Sequence, residues 1–377
     1  MTLESDSKKT RIALIYGGAS GEHPISCATA GAVMASLDED RYDVVSIAIR
    51  KDGTWVPGER DSSKLQLNAA STEVPSSDER IIFGPGNGSQ EILVVAADDE
   101  SRIIRSLGPV DVVFPLLHGA FGEDGTIQGL LEMANIPYVG CGVFASAAGM
   151  DKGFMKVVLQ SAGIPIGPYV VANRRRWNTE HDTVVSEAAA LEFPVYVKPA
   201  RAGSSLGISR VNSIEELDAA VNLAHDVDPK VVIEQGINGR EIECAVLGGR
   251  GDSPSKAAYL GEVVLSERDS SFYDFEHKYI DTDGLRMQIP AEIDAETTER
   301  MREMAVKTFD AFECEGLTRV DFFLTDDGEV LVNEINTMPG FTPFSMYPVM
   351  WEKAGLSYSA LVDELIQLAL ERGTGLH

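Results

Sequence analysis

Two segments near the carboxyl end of the chain carry carboxylates at a spacing that could hold a divalent cation. Residues 317–324 and 330–336 read as strands, and Asp327-Gly328 between them is a favoured two-residue hairpin turn. With that turn at the centre, Asp321 lies directly opposite Glu334 in the predicted hairpin. Two opposed carboxylates repel each other, and a cation between them removes the repulsion. The sequence therefore predicts a metal site on this hairpin.

The same register brings two further polar groups to that face of the hairpin. Arg319 lies opposite Asn336, and the alternation of side chains places both beside the two carboxylates. Oxygens of Asp, Glu and Asn are hard ligands that suit Mg²⁺ shared with substrate phosphates. The reverse face holds Val320, Phe322 and Leu324, which suits a buried core. The alternative interpretation is a solvated surface hairpin on which Arg319 neutralises one acid.

Three further segments follow predicted strands and could bind small charged groups. Residues 203–207, Gly-Ser-Ser-Leu-Gly, come after Lys198, and their backbone N–H groups and hydroxyls could hold phosphate together with that ammonium. They lack the P-loop pattern, so an ordinary flexible turn is the alternative. Residues 17–22 do not match the dinucleotide-binding pattern. The N-terminus of the helix that follows could bind a carboxylate, and Glu22 could equally bind an amino group. His118 follows a third strand, where ligands bind in open α/β sheets, although a lone histidine is more often structural.

Alternating strands and helices would position these groups. Residues 11–16, 44–49, 111–114 and 137–139 read as strands of a parallel α/β sheet, from which residues 57–90 depart as an excursion. The predicted fold class is α/β and α+β multidomain. The predicted domains are an N-terminal α/β substrate domain over 1–140, a central domain over 141–235 and a C-terminal domain over 236–377 with the metal and substrate sites. Residues 271–279 mix aromatic and charged side chains and read as a loop that closes over a site, or as a partly packed surface loop.

Charge and composition exclude several classes of partner. The 377 residues carry a net charge of −27, which disfavours binding to nucleic acid or to an anionic membrane. The four cysteines are scattered without a C-x-x-C pair, so neither a disulfide framework nor a zinc site is indicated. The first ten residues lack the apolar stretch of a secretory signal, and no run of about 18 apolar residues occurs, so a cytoplasmic location is expected.

Taken in order, the polar segments resemble those of the D-alanine–D-alanine ligases of the ATP-grasp superfamily. The resemblance runs from about residue 11 to about residue 369 and excludes residues 50–105. No single segment is decisive, but seven in order at compatible spacing are specific. They are residues 17–22, 118–129, 150–152, 198–205, 272–279, 319–321 and 333–340.

The resemblance implies an ATP-grasp fold with an N-terminal pre-ATP-grasp domain and ATP held between the central and C-terminal domains. It also implies two Mg²⁺ ions, with Mn²⁺ as a substitute, and a homodimer. Nucleotide binding falls to Lys152, Lys198, Ser204, Ser205, Glu234 at the adenine, Glu241 at the ribose and Lys278 at the γ-phosphate. Metal binding falls to Asp321, Glu334 and Asn336, in agreement with the hairpin register.

The same resemblance assigns the amino-acid substrates and the chemistry. Glu22 would orient the first D-alanine in a triad with Ser204 and Tyr279, and His118 would lie near that substrate. Arg319 and the Gly340 N–H would stabilise the oxyanion, and Ser345 would hold the carboxylate of the second D-alanine. The implied activity is ATP-dependent synthesis of D-alanyl-D-alanine through an acyl phosphate, which supplies peptidoglycan for the cell wall.

Four other functions compete with this one. A D-alanine–D-lactate ligase on the same fold would replace the pair Lys278-Tyr279, which this chain retains. Another ATP-grasp carboxylate–amine ligase is disfavoured by Glu22 and Ser345. A noncatalytic nucleotide-binding module would be expected to have lost a metal ligand or a phosphate-binding lysine. A NAD-dependent oxidoreductase would rest on residues 17–22 alone.

Overall fold

The computed structural model describes residues 8–66, 73–82, 91–203, 206–265 and 285–375. The strands in these ranges are β1 (Thr10–Gly17), β2 (Tyr42–Ile49), β3 (Trp55–Pro57), β4 (Glu79–Ile82), β5 (Glu91–Ala96), β6 (Ile103–Pro109), β7 (Val112–Pro115), β8 (Tyr169–Asn173), β9 (Val195–Pro199), β10 (Ser209–Val211), β11 (Lys230–Gln235), β12 (Gly239–Leu247), β13 (Lys256–Leu265), β14 (Leu285–Gln288), β15 (Leu317–Thr325) and β16 (Val330–Asn336). The helices are α1 (His23–Ser36), α2 (Thr126–Ala134), α3 (Val143–Met150), α4 (Lys152–Ser161), α5 (Arg174–Thr179), α6 (His181–Ala189), α7 (Leu217–Val227), α8 (Ala295–Ala311), α9 (Met346–Lys353) and α10 (Tyr358–Arg372).

The N-terminal part of the chain folds around a mainly parallel sheet. Its strand order is β3-β2-β1-β7, in which β1 pairs in parallel with both β2 and β7, as the α/β prediction requires. The strand expected at residues 137–139 is reduced to one parallel bridge between Val113 and Tyr138. Within the predicted excursion and just beyond it, β4, β5 and β6 form a separate three-stranded sheet. The glycine-rich turn follows the carboxyl end of β1, and the His118 segment follows the carboxyl end of β7. Because these two strands are parallel, both segments leave the sheet at the same end of its strands.

Two antiparallel sheets make up the rest of the fold. The central sheet has the order β10-β9-β11-β8 and packs its own apolar core against α5, α6 and α7. The C-terminal sheet has the order β14-β13-β12-β15-β16 and is covered by α4, α8 and α9. These two antiparallel sheets, added to the parallel one, confirm the mixed multidomain fold class. No helix in the described ranges combines the length and apolar character that crossing a membrane requires.

The hairpin of β15 and β16 has the predicted pairing at the polar end but a different turn. Arg319 pairs with Asn336 and Asp321 pairs with Glu334, as predicted. The turn, however, spans three residues, because Thr325 N donates to Glu329 O and Gly328 takes a left-handed φ of +84°. A β-bulge after Asp321 adds one residue to β16 and restores the predicted register. The predicted two-residue turn is therefore wrong, and the bulge compensates for it.

The turn after β1 depends on glycine at one position. Gly17 has a φ of +93°, and a Cβ there would lie 2.2 Å from the carbonyl oxygen of Ile49. Gly17→Ala should destabilise the protein by about 2–5 kcal/mol, since left-handed backbone costs about 1–2 and a clash with fixed backbone about 1–3. Chemical denaturation measures the change. Gly21→Ala is the matched control, because a Cβ at Gly21 meets nothing within 4 Å, and equal losses for both variants would contradict this account.

Candidate active site

A cleft of about 490 Å³ lies between the N-terminal parallel part of the fold and the two antiparallel sheets that follow it, the central and the C-terminal one. Its walls come from the turn after β1, the His118 segment, α4, the central sheet and the β15–β16 hairpin. The predicted site residues that line it are Glu22, His118, Lys152, Lys198, Glu234, Glu241, Arg319, Asp321, Glu334, Asn336 and Gly340. Residues far apart in the sequence thus converge on a single cleft.

Five further site residues were predicted from the sequence. Ser204, Ser205, Lys278 and Tyr279 lie outside the described residues. Ser345 precedes α9, and its hydroxyl lies 2.8 Å from Thr342 Oγ1 and accepts a hydrogen bond from Thr342 N. Ser345 is not among the described residues that line the cleft.

Four charged or polar side chains on the C-terminal sheet form one connected network. Arg319 donates through Nε and Nη2 to both oxygens of Asp321, at 2.7 Å each. Its Nε also lies 3.0 Å from Glu243 Oε2 on the neighbouring strand β12. Asn336 Nδ2 donates to Asp321 at 3.0 Å. Burial works to lower the pKa of Arg319, but Asp321 and Glu243 hold it well above its ordinary value. The guanidinium is therefore a fixed positive charge in the cleft.

The donor set on this hairpin fits a hard divalent cation. Asp321 and Glu334 face each other across the strand pair, with the amide of Asn336 on the same face. Among the described residues no group of three His, Cys, Asp or Glu side chains is arranged around one point. The protein would thus supply two carboxylates and an amide, and oxygen ligands from substrate would complete the shell. Mg²⁺ binding sites have this composition.

Two lysines line the cleft together with the hairpin carboxylates. Lys152 begins α4, where Asp151 caps the helix by accepting from Gly153 N and Phe154 N. Its Nζ donates to Ala202 O at 3.1 Å and lies 3.8 Å from Glu334 Oε2. Lys198, on β9, lies 2.6 Å from Glu234 Oε2 on β11. Both ammonium groups face the cleft beside the carboxylates, as binding of a polyphosphate requires.

Burial and charge work in opposite directions on the pair Lys198 and Glu234. Burial would raise the pKa of Glu234, but the nearby ammonium groups outweigh it and lower the pKa to about 2. Burial would likewise lower the pKa of Lys198, but Glu234 keeps it above its ordinary value. Both groups are therefore charged at neutral pH.

The N-terminal sheet contributes the other wall of the cleft. A Cβ added to Gly119 or Gly203 would lie 3.1 or 3.5 Å from Glu22 Oε2, so this carboxylate sits between the two backbone segments. His118 is buried, and its Nδ1 lies 3.2 Å from Met338 O. Burial lowers the pKa of His118, so the ring is neutral, with its proton on Nδ1. Nε2 has no hydrogen-bond partner among the described residues and can accept one from a ligand.

Glu123 is a site residue that the sequence reasoning missed. Its carboxylate accepts from Gly119 N at 2.6 Å and from Met338 N at 3.3 Å, and it lines the cleft. Glu123 thus joins the His118 segment to the segment after β16 that carries Gly340. Glu243, the second partner of Arg319, was missed as well. Neither lies in a recognisable motif of its own, although Glu123 falls within residues 118–129 and Glu243 alternates with Glu241.

Glu123 should make stability depend on pH. Burial and the charge of Glu22 raise its pKa from 4.5 to about 8, so the stability it contributes is present below about pH 4.5 and is lost as pH rises through about 8. Glu123→Gln removes this titration. We expect its melting temperature to gain on that of the parent protein between about pH 5.5 and about pH 8.5. Thermal unfolding at several pH values tests this, and parallel curves for the two proteins would contradict it.

The fold and this cleft define a class of protein. A parallel α/β domain joined to two antiparallel domains, with lysines and carboxylates facing each other across a cleft, is the architecture of an ATP-grasp ligase. Residues 11–141 match the family model described as D-ala D-ala ligase N-terminus, and residues 158–367 match D-ala D-ala ligase C-terminus. The chain belongs to the D-alanine–D-alanine ligase family.

Individual relatives agree with this assignment over nearly the whole chain. A D-alanine–D-alanine ligase of Arthrobacter sp. (strain FB24) is 51% identical over 98% of this chain and 96% of its own length. The solved VanG D-Ala:D-Ser ligase from Enterococcus faecalis has a TM-score of 0.81 and 37% identity, covering 96% of this chain and 100% of that one. The D-alanine–D-alanine ligase from Coxiella burnetii has a TM-score of 0.79 and 32% identity, covering 97% of this chain and 95% of that one.

Proposed function

We propose that this chain uses ATP and a divalent metal to join two D-alanine molecules into D-alanyl-D-alanine for cell-wall synthesis. One observation carries the proposal. The cleft brings Glu22, whose carboxylate would bind an ammonium group, to the same space as Lys152, Lys198 and the carboxylates of the hairpin. An amino acid and a polyphosphate can therefore be bound together, as forming an acyl phosphate requires.

The first step transfers the γ-phosphoryl group of ATP to the carboxylate of the first D-alanine. Phosphoryl transfer depends mainly on positioning and on neutralising negative charge. Lys152 and Lys198 would bind phosphate oxygens, while Glu234 would bind the adenine and Glu241 the ribose. We propose two Mg²⁺ ions, replaceable by Mn²⁺, which Asp321, Glu334 and Asn336 would hold. The metal would neutralise the developing charge on the phosphate groups.

The second step is attack of the amine of the second D-alanine on the activated carbonyl, with phosphate as the leaving group. Glu22 would hold the ammonium of the first D-alanine, and Nε2 of His118 is free to accept from it. Arg319 and Gly340 N–H would stabilise the oxyanion of the tetrahedral intermediate. Gly340 is held in position because the adjoining Phe341 ring packs against Phe114, with ring centroids 6.0 Å apart.

Some roles rest on the family resemblance alone. Ser204 and Tyr279 would complete the triad with Glu22, Ser205 would bind ATP, and Lys278 would reach the γ-phosphate. Ser345 would bind the carboxylate of the second D-alanine, which requires its hydroxyl to exchange Thr342 for the substrate. We also infer a homodimer that works in the cytoplasm, and sedimentation tests the dimer.

The test measures phosphate release from ATP and Mg²⁺ with D-alanine, L-alanine, or D-alanine plus D-lactate or D-serine, with products identified by mass. D-alanine-dependent turnover giving the D,D-dipeptide supports the proposal. A depsipeptide or a D-alanyl-D-serine product would keep the chemistry and overturn the identity of the second substrate. No turnover with any acceptor would refute the ligase assignment.

A further inference from the structure

A buried lysine contacts Glu234, the carboxylate proposed above to bind the adenine. Lys156 is 3% exposed and is not among the described residues that line the cleft. Its Nζ lies 3.1 Å from Oε1 of Glu234, whereas Lys198 Nζ lies 2.6 Å from Oε2. One buried carboxylate therefore holds two ammonium groups, one on each oxygen. Of the two lysines, Lys198 is the one that lines the cleft.

We propose that Lys156 is a positioning residue for the nucleotide, which keeps Glu234 charged and in place when Lys198 turns toward the phosphates. The inference rests on the nucleotide roles proposed above for Lys198 and Glu234. Any movement of Lys198 Nζ toward a phosphate lengthens its contact with Glu234. The carboxylate then needs a second counter-ion that stays behind, because an unpaired buried charge is strongly unfavourable.

The surroundings of Lys156 hold it where such a counter-ion must be. It lies one turn after Lys152 on α4, so both ammonium groups project from one face of a single helix. Lys156 Nζ also lies 5.4 Å from the ring centroid of Tyr169, which pairs with Glu234 across β8 and β11. A cation–π contact and an ion pair thus hold the Lys156 ammonium at Oε1 of Glu234, the oxygen opposite the one that Lys198 contacts.

The number of counter-ions left on Glu234 decides whether nucleotide binding becomes weaker or stronger. With both lysines present, Glu234 keeps one counter-ion after Lys198 moves to the nucleotide. Without Lys156, Lys198 is the remaining ammonium on Glu234 in the described structure, and ATP must compete with the carboxylate for it. Loss of Lys156 should therefore weaken nucleotide binding while leaving the D-alanine subsites unchanged.

The experiment measures binding of a non-hydrolysable ATP analogue with Mg²⁺ by calorimetry, without D-alanine. Lys156→Met should bind the analogue about 10- to 100-fold more weakly, the range typical for losing the partner of a ligand-binding side chain. Lys156→Arg should recover most of the affinity, and the KM for D-alanine should stay constant. Lys230→Met is the matched control, since Lys230 pairs with Asp151 at the other end of this helix–sheet contact and not with Glu234.

A double substitution separates action through Glu234 from a general loss of structure. If Lys156 acts through Glu234, the variant K156M/E234Q should bind the analogue as E234Q alone does. The comparison of K156M/E234Q with E234Q still tests the inference if K156M alone fails to fold, because the double variant has no unpaired carboxylate at position 234. Parent-like affinity of K156M, or a double variant clearly weaker than E234Q, would overturn the inference. A parent protein that binds the analogue but does not turn over D-alanine would refute the proposed function instead.

Discussion

Arg319→Met is expected to lower kcat by about 100- to 1,000-fold, the usual effect of removing one oxyanion donor. Arg319 lies on the face of the β15–β16 hairpin that lines the cleft, and its pKa stays well above the ordinary value, so it carries full charge at neutral pH. The substitution also leaves Asp321 and Glu243 without the cation that they share. Arg319→Lys should be little more active than Arg319→Met, because lysine keeps the charge but lacks the planar guanidinium with its two parallel donors.

The same variant should change how metal affects stability. With Arg319 gone, the carboxylates repel each other more strongly, so Mg²⁺ should raise the melting temperature of R319M by more than that of the parent. Arg240→Met is the matched control, because Arg240 makes a similar fork with Glu262, at 2.8 and 2.6 Å, away from the cleft. If the activity of R319M stays within tenfold of that of the parent, or within tenfold of that of the control R240M, Arg319 has no role at the oxyanion.

Glu334→Gln should raise the Mg²⁺ concentration needed for activity by about 10- to 100-fold or more, at least the effect seen when an outer partner of a metal ligand is lost. The amide preserves size and removes the charge that faces Asp321 across the hairpin. Without metal the variant should be as stable as the parent or more so, because a like-charge pair disappears. Activity and stability are thus expected to move in opposite directions.

Mn²⁺ titration followed by electron paramagnetic resonance measures the affinity, and thermal unfolding in a chelator measures the stability. Glu329→Gln is the matched control, since Glu329 is an exposed acid at the turn of the same hairpin. An unchanged metal requirement in E334Q would remove Glu334 from the metal site. A loss of stability without metal would mean instead that Glu334 is a structural partner of Lys152, which lies 3.8 Å away.

The sequence by itself determined which groups share one face of the β15–β16 hairpin. Alternation along two strands put Arg319, Asp321, Glu334 and Asn336 on one face, and the structure confirms their pairing. This worked because side-chain alternation in a strand is a local property that follows from backbone geometry. The alternating strands and helices of the first domain were predictable for the same reason, since periodicity and turn residues act over a few positions.

The tertiary structure alone decided how charges are shared between elements. Glu123 accepts from Met338 N across 215 positions of sequence, and Lys156 meets Glu234 by packing a helix on a sheet. No local pattern reveals these contacts, because a buried charge is defined by its partner and its loss of water, which depend on the whole fold. The bulge that restores the β15–β16 register is likewise a feature that no local pattern reveals. The sequence thus identified the charged groups of the cleft, and packing supplied the counter-ions that pair with them.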